Sequence, residues 1–347
     1  METAVTVLQQ ELKHKIDLKT KPVGALGRLE EIAIQAGLIQ NTLTPEISNP
    51  HIIVFAADHG IAATGLVNPY PQAVTAQMVM NFIYGGAAIN VFCRQNNIAL
   101  KVVDCGVNYK FDGLAGSPAF ISAKVYNGTK NYLEEDSMTI KDTLFAIEKG
   151  KEIVRKIVAA GCNTIGFGEM GIGNSSSAAL IMSSILQIPV DQCTGRGTGA
   201  NEEQLALKIA TLKKVHQFHQ LDLFANDPVM LLAKIGGFEI ATMAGAYLEA
   251  AQQKMIIVVD GFIATAALLI AHKMNDIVLA NCIFAHTSCE QGHEKMLHYL
   301  DAKPLLQLGM RLGEGTGAAI AIPLVQSAIN FLNEMASFEK AGVTNKA

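Results

Sequence analysis

Charge and long hydrophobic runs are both scarce in this sequence. Only 17% of its 347 residues are charged while 50% are apolar, and the mean hydropathy is +0.27. A chain with so much surface to bury is not intrinsically disordered, because burial offsets the conformational entropy that folding removes. A membrane-spanning helix needs roughly 20 apolar residues in a row. Residues 261–271 fall well short of that and are closed off by Asp260 and His272, and residues 178–190 are interrupted by Gln187. The first 22 residues are amphipathic with lysines and lack the apolar core of a secretory leader. Basic runs are missing too: the net charge is −4 and the pI near 6.1, which argues against a nucleic-acid surface. The six cysteines (Cys93, Cys105, Cys162, Cys193, Cys282, Cys289) are scattered, mostly through apolar runs, as expected of reduced, buried thiols in a cytoplasmic protein. Ten prolines mark turns, and there is no repeat, low-complexity tract or flexible linker.

What is present is an alternation. Short β-branched runs at 51–57, 99–104, 162–167, 255–259 and 277–284 are separated by helical patterns at 74–96, 140–160, 175–186, 202–220, 239–253 and 262–273. Continuously apolar strands between helices predict an α/β fold with a parallel sheet covered by helices on both faces. Residues 1–40 and 290–347 carry helical periodicity with little strand signal. They are expected to form a small helical domain beside a large α/β nucleotide-binding domain over residues 41–289.

The strand ends carry the polar chemistry. They run into Asp58-His59-Gly60, Asp104-Cys105-Gly106, Gly168-Glu169, Asp260-Gly261 and Ala285-His286. Ligands of open α/β sheets bind outside the carboxyl ends of the strands, so these few acids beside glycines outline a polar site. The alternative is that each Asp caps the next helix. Three glycine-rich segments precede helices: Gly168-Glu-Met-Gly-Ile-Gly-Asn174, Gly195-Arg-Gly-Thr-Gly199 and Gly313-Glu-Gly-Thr-Gly317. Glycine allows close approach of backbone amides to an anion, and a helix amino end adds partial positive charge, so phosphate is the natural guest. Ser175, Ser176 and Ser177 add hydroxyl donors to the first segment. Gly195/Gly197/Ala200 and Gly313/Gly315/Ala318 also fit a dinucleotide fingerprint, but neither lies in a strand–helix–strand unit with a following acid.

Glu314 is the sharpest single candidate. Flanking glycines cannot cover its carboxylate, and a very apolar helix pattern follows, so it suits a general base whose affinity for protons rises when substrate excludes water. The alternative is an acid stabilising a helix start. Cys282, His286, Cys289 and His293 could formally ligate zinc, though their spacing matches no common zinc module. His216 and His219 fall in a polar helix and are expected to be solvated.

The run Ile256-Ile-Val-Val-Asp260-Gly-Phe-Ile-Ala-Thr265 resembles the ribose-phosphate loop of diphosphate-dependent phosphoribosyltransferases, except that the second acid is replaced by Gly261. A broader resemblance covers nearly the whole chain. Its motifs, in order, are Lys21-Pro-Val-Gly-Ala-Leu-Gly-Arg-Leu-Glu30, Phe55-Ala-Ala-Asp-His-Gly-Ile61, Tyr70-Pro71 with Val74-Thr75, and Asn81-Phe-Ile-Tyr-Gly-Gly-Ala-Ala-Ile-Asn90. The three glycine segments, Gly236-Gly-Phe-Glu239, Val259-Asp-Gly-Phe262, His286-x-Ser288-x-Glu290-x-Gly-His293 and Arg311-Leu-Gly-Glu-Gly-Thr-Gly-Ala318 complete the set. The sequence resembles the nicotinate-nucleotide–dimethylbenzimidazole phosphoribosyltransferase family.

That resemblance implies a Rossmann-like sheet with a small helical domain from both termini, a homodimer, and no cofactor or metal. The implied reaction moves 5-phosphoribose from β-nicotinate mononucleotide to a benzimidazole nitrogen, in assembly of the cobalamin nucleotide loop. The implied catalytic residue is Glu314. Phosphate and ribose would be held by Glu169, Gly171, Gly173, Asn174, Ser175, Ser176, Gly195, Gly197, Gly199, Lys208, Asp260, Ser288, Gly313 and Gly315. Asn68, Tyr70, Gln77, Met310 and Leu312 would form the base pocket. Asn68-Pro69 stands where many relatives carry a small Ser segment, which leaves the accepted base open. Two other readings remain at this point: a magnesium- and diphosphate-dependent phosphoribosyltransferase, and a nucleotide-binding module without catalysis.

Overall fold

The computed structural model describes residues 4–197 and 199–344. Helices α1 (Ala4–Asp17) and α2 (Arg28–Gln40) precede strand β1 (His51–Ala57). Helices α3 (Val74–Tyr84) and α4 (Ala88–Gln95) lead to β2 (Ala99–Gly106) and the short β3 (Phe120–Ser122). Next come α5 (Ile140–Ala159), β4 (Thr164–Met170), α6 (Asn174–Leu186), α7 (Val190–Cys193), α8 (Glu202–His219), α9 (Pro228–Ile235) and α10 (Phe238–Gln252). Strand β5 (Ile256–Val259), α11 (Phe262–Met274), β6 (Cys282–Phe284), α12 (His293–Tyr299), α13 (Thr316–Glu334) and α14 (Phe338–Ala341) follow.

The six strands form one sheet in the order β3-β2-β1-β4-β5-β6, and every pairing is parallel. Successive strand residues point to opposite faces, and both sets are apolar. Ile53, Phe55, Ile165, Phe167, Ile257 and Val259 face α5, α6 and α9 to α12. Ile52, Val54, Val102, Ile256 and Val258 face α1 to α4 and α13. The product is three layers with a core on each side of the sheet, which is the expected α/β class. The chain ends meet on the second face, where Thr20 N–H donates to Ala336 (3.1 Å) and Phe338 N–H donates to Leu18 (3.0 Å). Helix α12, inside the 290–347 segment, packs on the opposite face, with Met296 and Leu297 in that core.

Two segments depart from the periodicity. Residues 74–96 form two helices, because Gly85 takes φ +83° and ends α3. They also make up the one stretch among the described residues long and apolar enough to cross a membrane. The first half of the 277–284 run is a 3-10 helix, Asp276–Asn281, started by the Asn275 side chain accepting from Ile277 N–H, so β6 keeps only three residues.

Helix starts fall into two kinds. Outer helices cap themselves: Thr139 and Asp142 close a capping box on α5, and Asn201 and Gln204 close one on α8. Helices α6, α10, α11 and α13 instead begin at Gly173, Gly237, Gly261 and Gly315, without a side-chain cap from the preceding residue. Some of their first amides are left for a distant side chain or a ligand, as those of Gly315 and Ala318 are for Asp260.

Candidate active site

A cavity of about 270 Å³ opens at the carboxyl ends of β4, β5 and β6, beside the point where strand order reverses between β1 and β4. That is where open α/β sheets bind ligands. Glu169, Asp260, His286, Ser288 and Glu314 line it, together with the α6 start and the 67–78 segment. The other strand-end acids lie elsewhere. Asp58 accepts from Asn108 N–H (2.7 Å), and Asp104 accepts from Val107 N–H (2.9 Å) and pairs with Lys124 (3.1 Å).

Glu314 occupies a strained position. It adopts φ +62° between Gly313 (+82°) and Gly315 (+80°), and left-handed backbone is costly for a residue with a β-carbon. Asp260 holds the turn in place: its two carboxylate oxygens accept from Gly315 N–H and Ala318 N–H, both at 3.1 Å. So Asp260 is a helix cap, but of α13, more than fifty residues downstream, and not of α11, which follows it. Glu314 is 6% exposed, and its Oε2 has no hydrogen-bond partner. Burial, with the negative Asp260 nearby, pushes its carboxyl up to about 7, while the Ile89 amide pulls the other way.

The α6 start forms a second lobe. Gly171, Gly173, Asn174 and Ser175 line the cavity with Glu169, and the Asn174 amide donates to the Glu169 carboxylate. Burial pushes Glu169 up to about 8, helped by the charges of Glu239, Asp260 and Glu314. Lys208 crosses from α8 and donates to Ser175 Oγ (2.9 Å) and to the Gly195 carbonyl (3.3 Å). It is 2% exposed, and burial lowers its pKa to about 8. Gly197 and Arg196 reach the cavity, and Arg311 donates to the Gly197 carbonyl (2.8 Å). Gly195 and Gly315 shape the backbone behind the wall, and Gly199 is exposed. Thr198 lies outside the described residues. The three serines separate: Ser175 faces the cavity, Ser176 is buried without a hydroxyl partner, and Ser177 points towards His59.

Of the expected base pocket, Asn68, Tyr70 and Leu312 line the cavity, as does Gly313. Gln77 and Met310 do not. Val74 and Met78, four residues apart on α3, share the face turned to the cavity, whereas Gln77 is rotated by about 100°. Gln77 lines a separate hollow with Asp58, Gln72, Asn108 and Tyr109. Val74, Met78, Met170 and Ile172 supply the apolar wall. In the sequence Val74 and Met78 belong to a helical pattern and Met170 and Ile172 to a glycine-rich segment, with nothing to single them out as a binding wall. His286, whose Nδ1 is buried and unpartnered, reads in the sequence only as a formal zinc ligand, and Arg311 stands inside a motif without a role.

The formal zinc set does not converge. His293 accepts from Ser288 N–H at Nδ1 (2.8 Å) and meets the Thr265 hydroxyl at Nε2 (3.0 Å), so both ring nitrogens are engaged, and burial lowers its pKa to about 3. Among the described residues no group of three or more His, Cys, Asp or Glu is placed to hold a metal ion. His219 is buried rather than solvated, with Nε2 2.7 Å from the Tyr132 carbonyl. Five cysteines are buried, and Cys289 is exposed.

A family described as phosphoribosyltransferase matches residues 1–343. The nicotinate-nucleotide–dimethylbenzimidazole phosphoribosyltransferase of Dechloromonas aromatica is 52% identical over 98% of this chain and 96% of its own length. The enzyme of the same name from Photobacterium profundum is 50% identical over 96% of each. Among solved structures, CobT from Thermus thermophilus superposes with a TM-score of 0.92 at 37% identity, covering 98% of this chain and all of that one.

Proposed function

The chain belongs to the nicotinate-nucleotide–dimethylbenzimidazole phosphoribosyltransferase family, and from that premise we propose that Glu314 is the base of its reaction. The enzyme transfers 5-phosphoribose from β-nicotinate mononucleotide to 5,6-dimethylbenzimidazole or a related base. It yields α-ribazole 5′-phosphate and nicotinate for the cobalamin nucleotide loop. One observation carries the assignment of Glu314: a buried carboxylate oxygen without a partner, facing a cavity whose other walls are an anion-suited helix start and an apolar surface.

Nicotinate leaves from a cationic pyridinium nitrogen and takes both bonding electrons, so its departure needs no acid. A neutral benzimidazole nitrogen attacks C1′ from the opposite face, turning the β-linkage into an α-linkage. The other ring nitrogen then sheds its proton to Glu314, whose raised proton affinity matches a base working near neutrality. The phosphate sits at the amino end of α6 beside Gly173 and Ser175, with Lys208 as counter-charge. Returning a dianion to Lys208 restores the proton that burial disfavours. Asp260 faces the sugar, where its negative charge steadies positive charge developing at C1′, and Glu169, which holds its proton below about 8, meets the sugar as a neutral hydrogen-bonding group. Asn68, Tyr70 and Leu312 with Met78 and Met170 receive the base. The small helical domain of residues 1–40 and 290–347, a homodimeric assembly and a cytoplasmic setting complete the proposal.

The test is direct. Protein mixed with nicotinate mononucleotide and dimethylbenzimidazole in EDTA should release nicotinate and α-ribazole phosphate in equal amounts, followed by mass spectrometry. No product with any of a panel of benzimidazoles would overturn the reading.

A further inference from the structure

Two motifs remain unused by this chemistry: the Asp58-His59-Gly60 corner after β1 and Gly236-Gly-Phe-Glu239 at the α10 start. The fold brings them together behind the cavity. His59 Nε2 lies 2.6 Å from Glu239 Oε1, and both side chains are fully buried. Gly237 makes the contact possible, since a β-carbon there would come within 2.4 Å of both the His59 ring and Glu239 Oε2. The other ring nitrogen, Nδ1, is 3.2 Å from Ser177 Oγ, which also reaches the buried Tyr132 hydroxyl at 3.3 Å. Ser177 is the fourth residue of α6, about one turn beyond Asn174 at the cavity wall. The β-carbon of His59 also stands behind Gly173, 3.5 Å from where a β-carbon on that glycine would lie.

A buried hydrogen-bonded pair of this kind is weak evidence for stability, because desolvation opposes the attraction; its clearer use is to fix one geometry. Here the geometry being fixed is the amino end of α6. We propose that Glu239 and His59 are positioning residues that act through Ser177 to hold the first turn of α6 in register for the nucleotide's phosphate. None of the three lines the cavity. The chain of contacts runs from α10 through the β1 corner to α6, linking segments 180 residues apart in sequence. The inference rests on the assignment of the phosphate to the α6 start.

The phosphate itself supplies the test. Calorimetric affinities for nicotinate mononucleotide and for its phosphate-free nucleoside are compared in wild-type protein, Ser177→Ala and Glu239→Gln. Ser177→Ala removes one hydroxyl and is the variant surest to fold. Mononucleotide affinity should fall roughly three- to ten-fold, the worth of one hydrogen bond in an ordered site, with the nucleoside unchanged. Glu239→Gln should show the same split. Unchanged mononucleotide affinity in either folded variant would overturn the inference, and so would equal weakening of both ligands, which reports general loosening. If wild-type protein binds the two ligands equally well, the phosphate assignment fails and this inference with it.

Discussion

Gly168 of β4 lies directly beneath the peptide that joins Glu314 to Gly315. A β-carbon on Gly168 would stand 2.2 Å from both the Glu314 carbonyl carbon and the Gly315 nitrogen. Those are backbone atoms and cannot rotate aside, so Gly168→Ala must move the whole turn. Overpacking of this kind costs about 1–3 kcal/mol, and displacing a catalytic group by about 1 Å can cost about 10²-fold in rate. We expect Gly168→Ala to unfold at lower denaturant and to lose kcat on that scale. Full kcat in the folded variant would show that the turn has slack.

Glu314→Gln keeps the shape and removes the proton acceptor. General-base contributions run to about 10²–10⁴-fold, so kcat should fall within that range. Nicotinate mononucleotide should still bind, because the α6 lobe and Lys208 are untouched. Retained turnover, measured by nicotinate release, would move the base to another group.

The pH dependence follows from two displaced groups. Glu314, at about 7, must be ionised to accept the proton, which sets a limb rising with pH. Lys208, at about 8, must be charged to meet the phosphate, which sets a limb falling above it. The profile of kcat/KM for the mononucleotide should therefore be a narrow bell between them. Arginine stays charged throughout, so Lys208→Arg should extend the basic limb upward. A basic limb unmoved in that variant would assign it to a different group, and Glu169 would be examined next.

The parts of the molecule that could be read from the sequence were those whose signal is local. The bounds of β1 follow from six consecutive apolar residues, Ile52 to Ala57, closed by Asp58, and the whole strand is buried. The half-exposed β3 has three residues at the sheet edge and no such signature. The resemblance implies Gln77 in the base pocket, but a helix turns each side chain about 100° from the last, and Met78 faces the cavity instead. The Asp260 carboxylate looked like a cap for the helix beside it, yet the amides it meets belong to α13. The His59–Glu239 pair joins residues 180 apart, and only the folded chain reveals it.

Glu169 offers a stability test. Burial raises its carboxyl from an ordinary value near 4.5 to about 8, so between those values the folded protein holds a proton that the unfolded chain releases. Stability from this group is complete below the lower value and is lost as pH rises through the upper one. Glu169→Gln retains an oxygen for the Asn174 amide and has no charge to desolvate. Its melting temperature should match wild type near pH 4.5 and exceed it increasingly up to pH 8. A pH-independent difference would mean that Glu169 is ionised in the folded protein throughout.

Asp260 ties the two effects to one turn. Its carboxylate holds the Gly315 and Ala318 amides, and its charge helps to raise Glu314. Asp260→Asn keeps one acceptor oxygen and places an amide nitrogen against the other backbone donor. Losing one such cap bond costs about 0.5–2 kcal/mol, which chemical denaturation will read. Removing the negative charge also makes ionisation of Glu314 easier, so the rising limb of the pH profile should move below about 7. His286, with Nε2 3.7 Å from Asp260, loses its charged neighbour in the same variant, but that changes neither sign. A rising limb that stays in place, with the protein folded, would show that burial alone sets the Glu314 proton affinity.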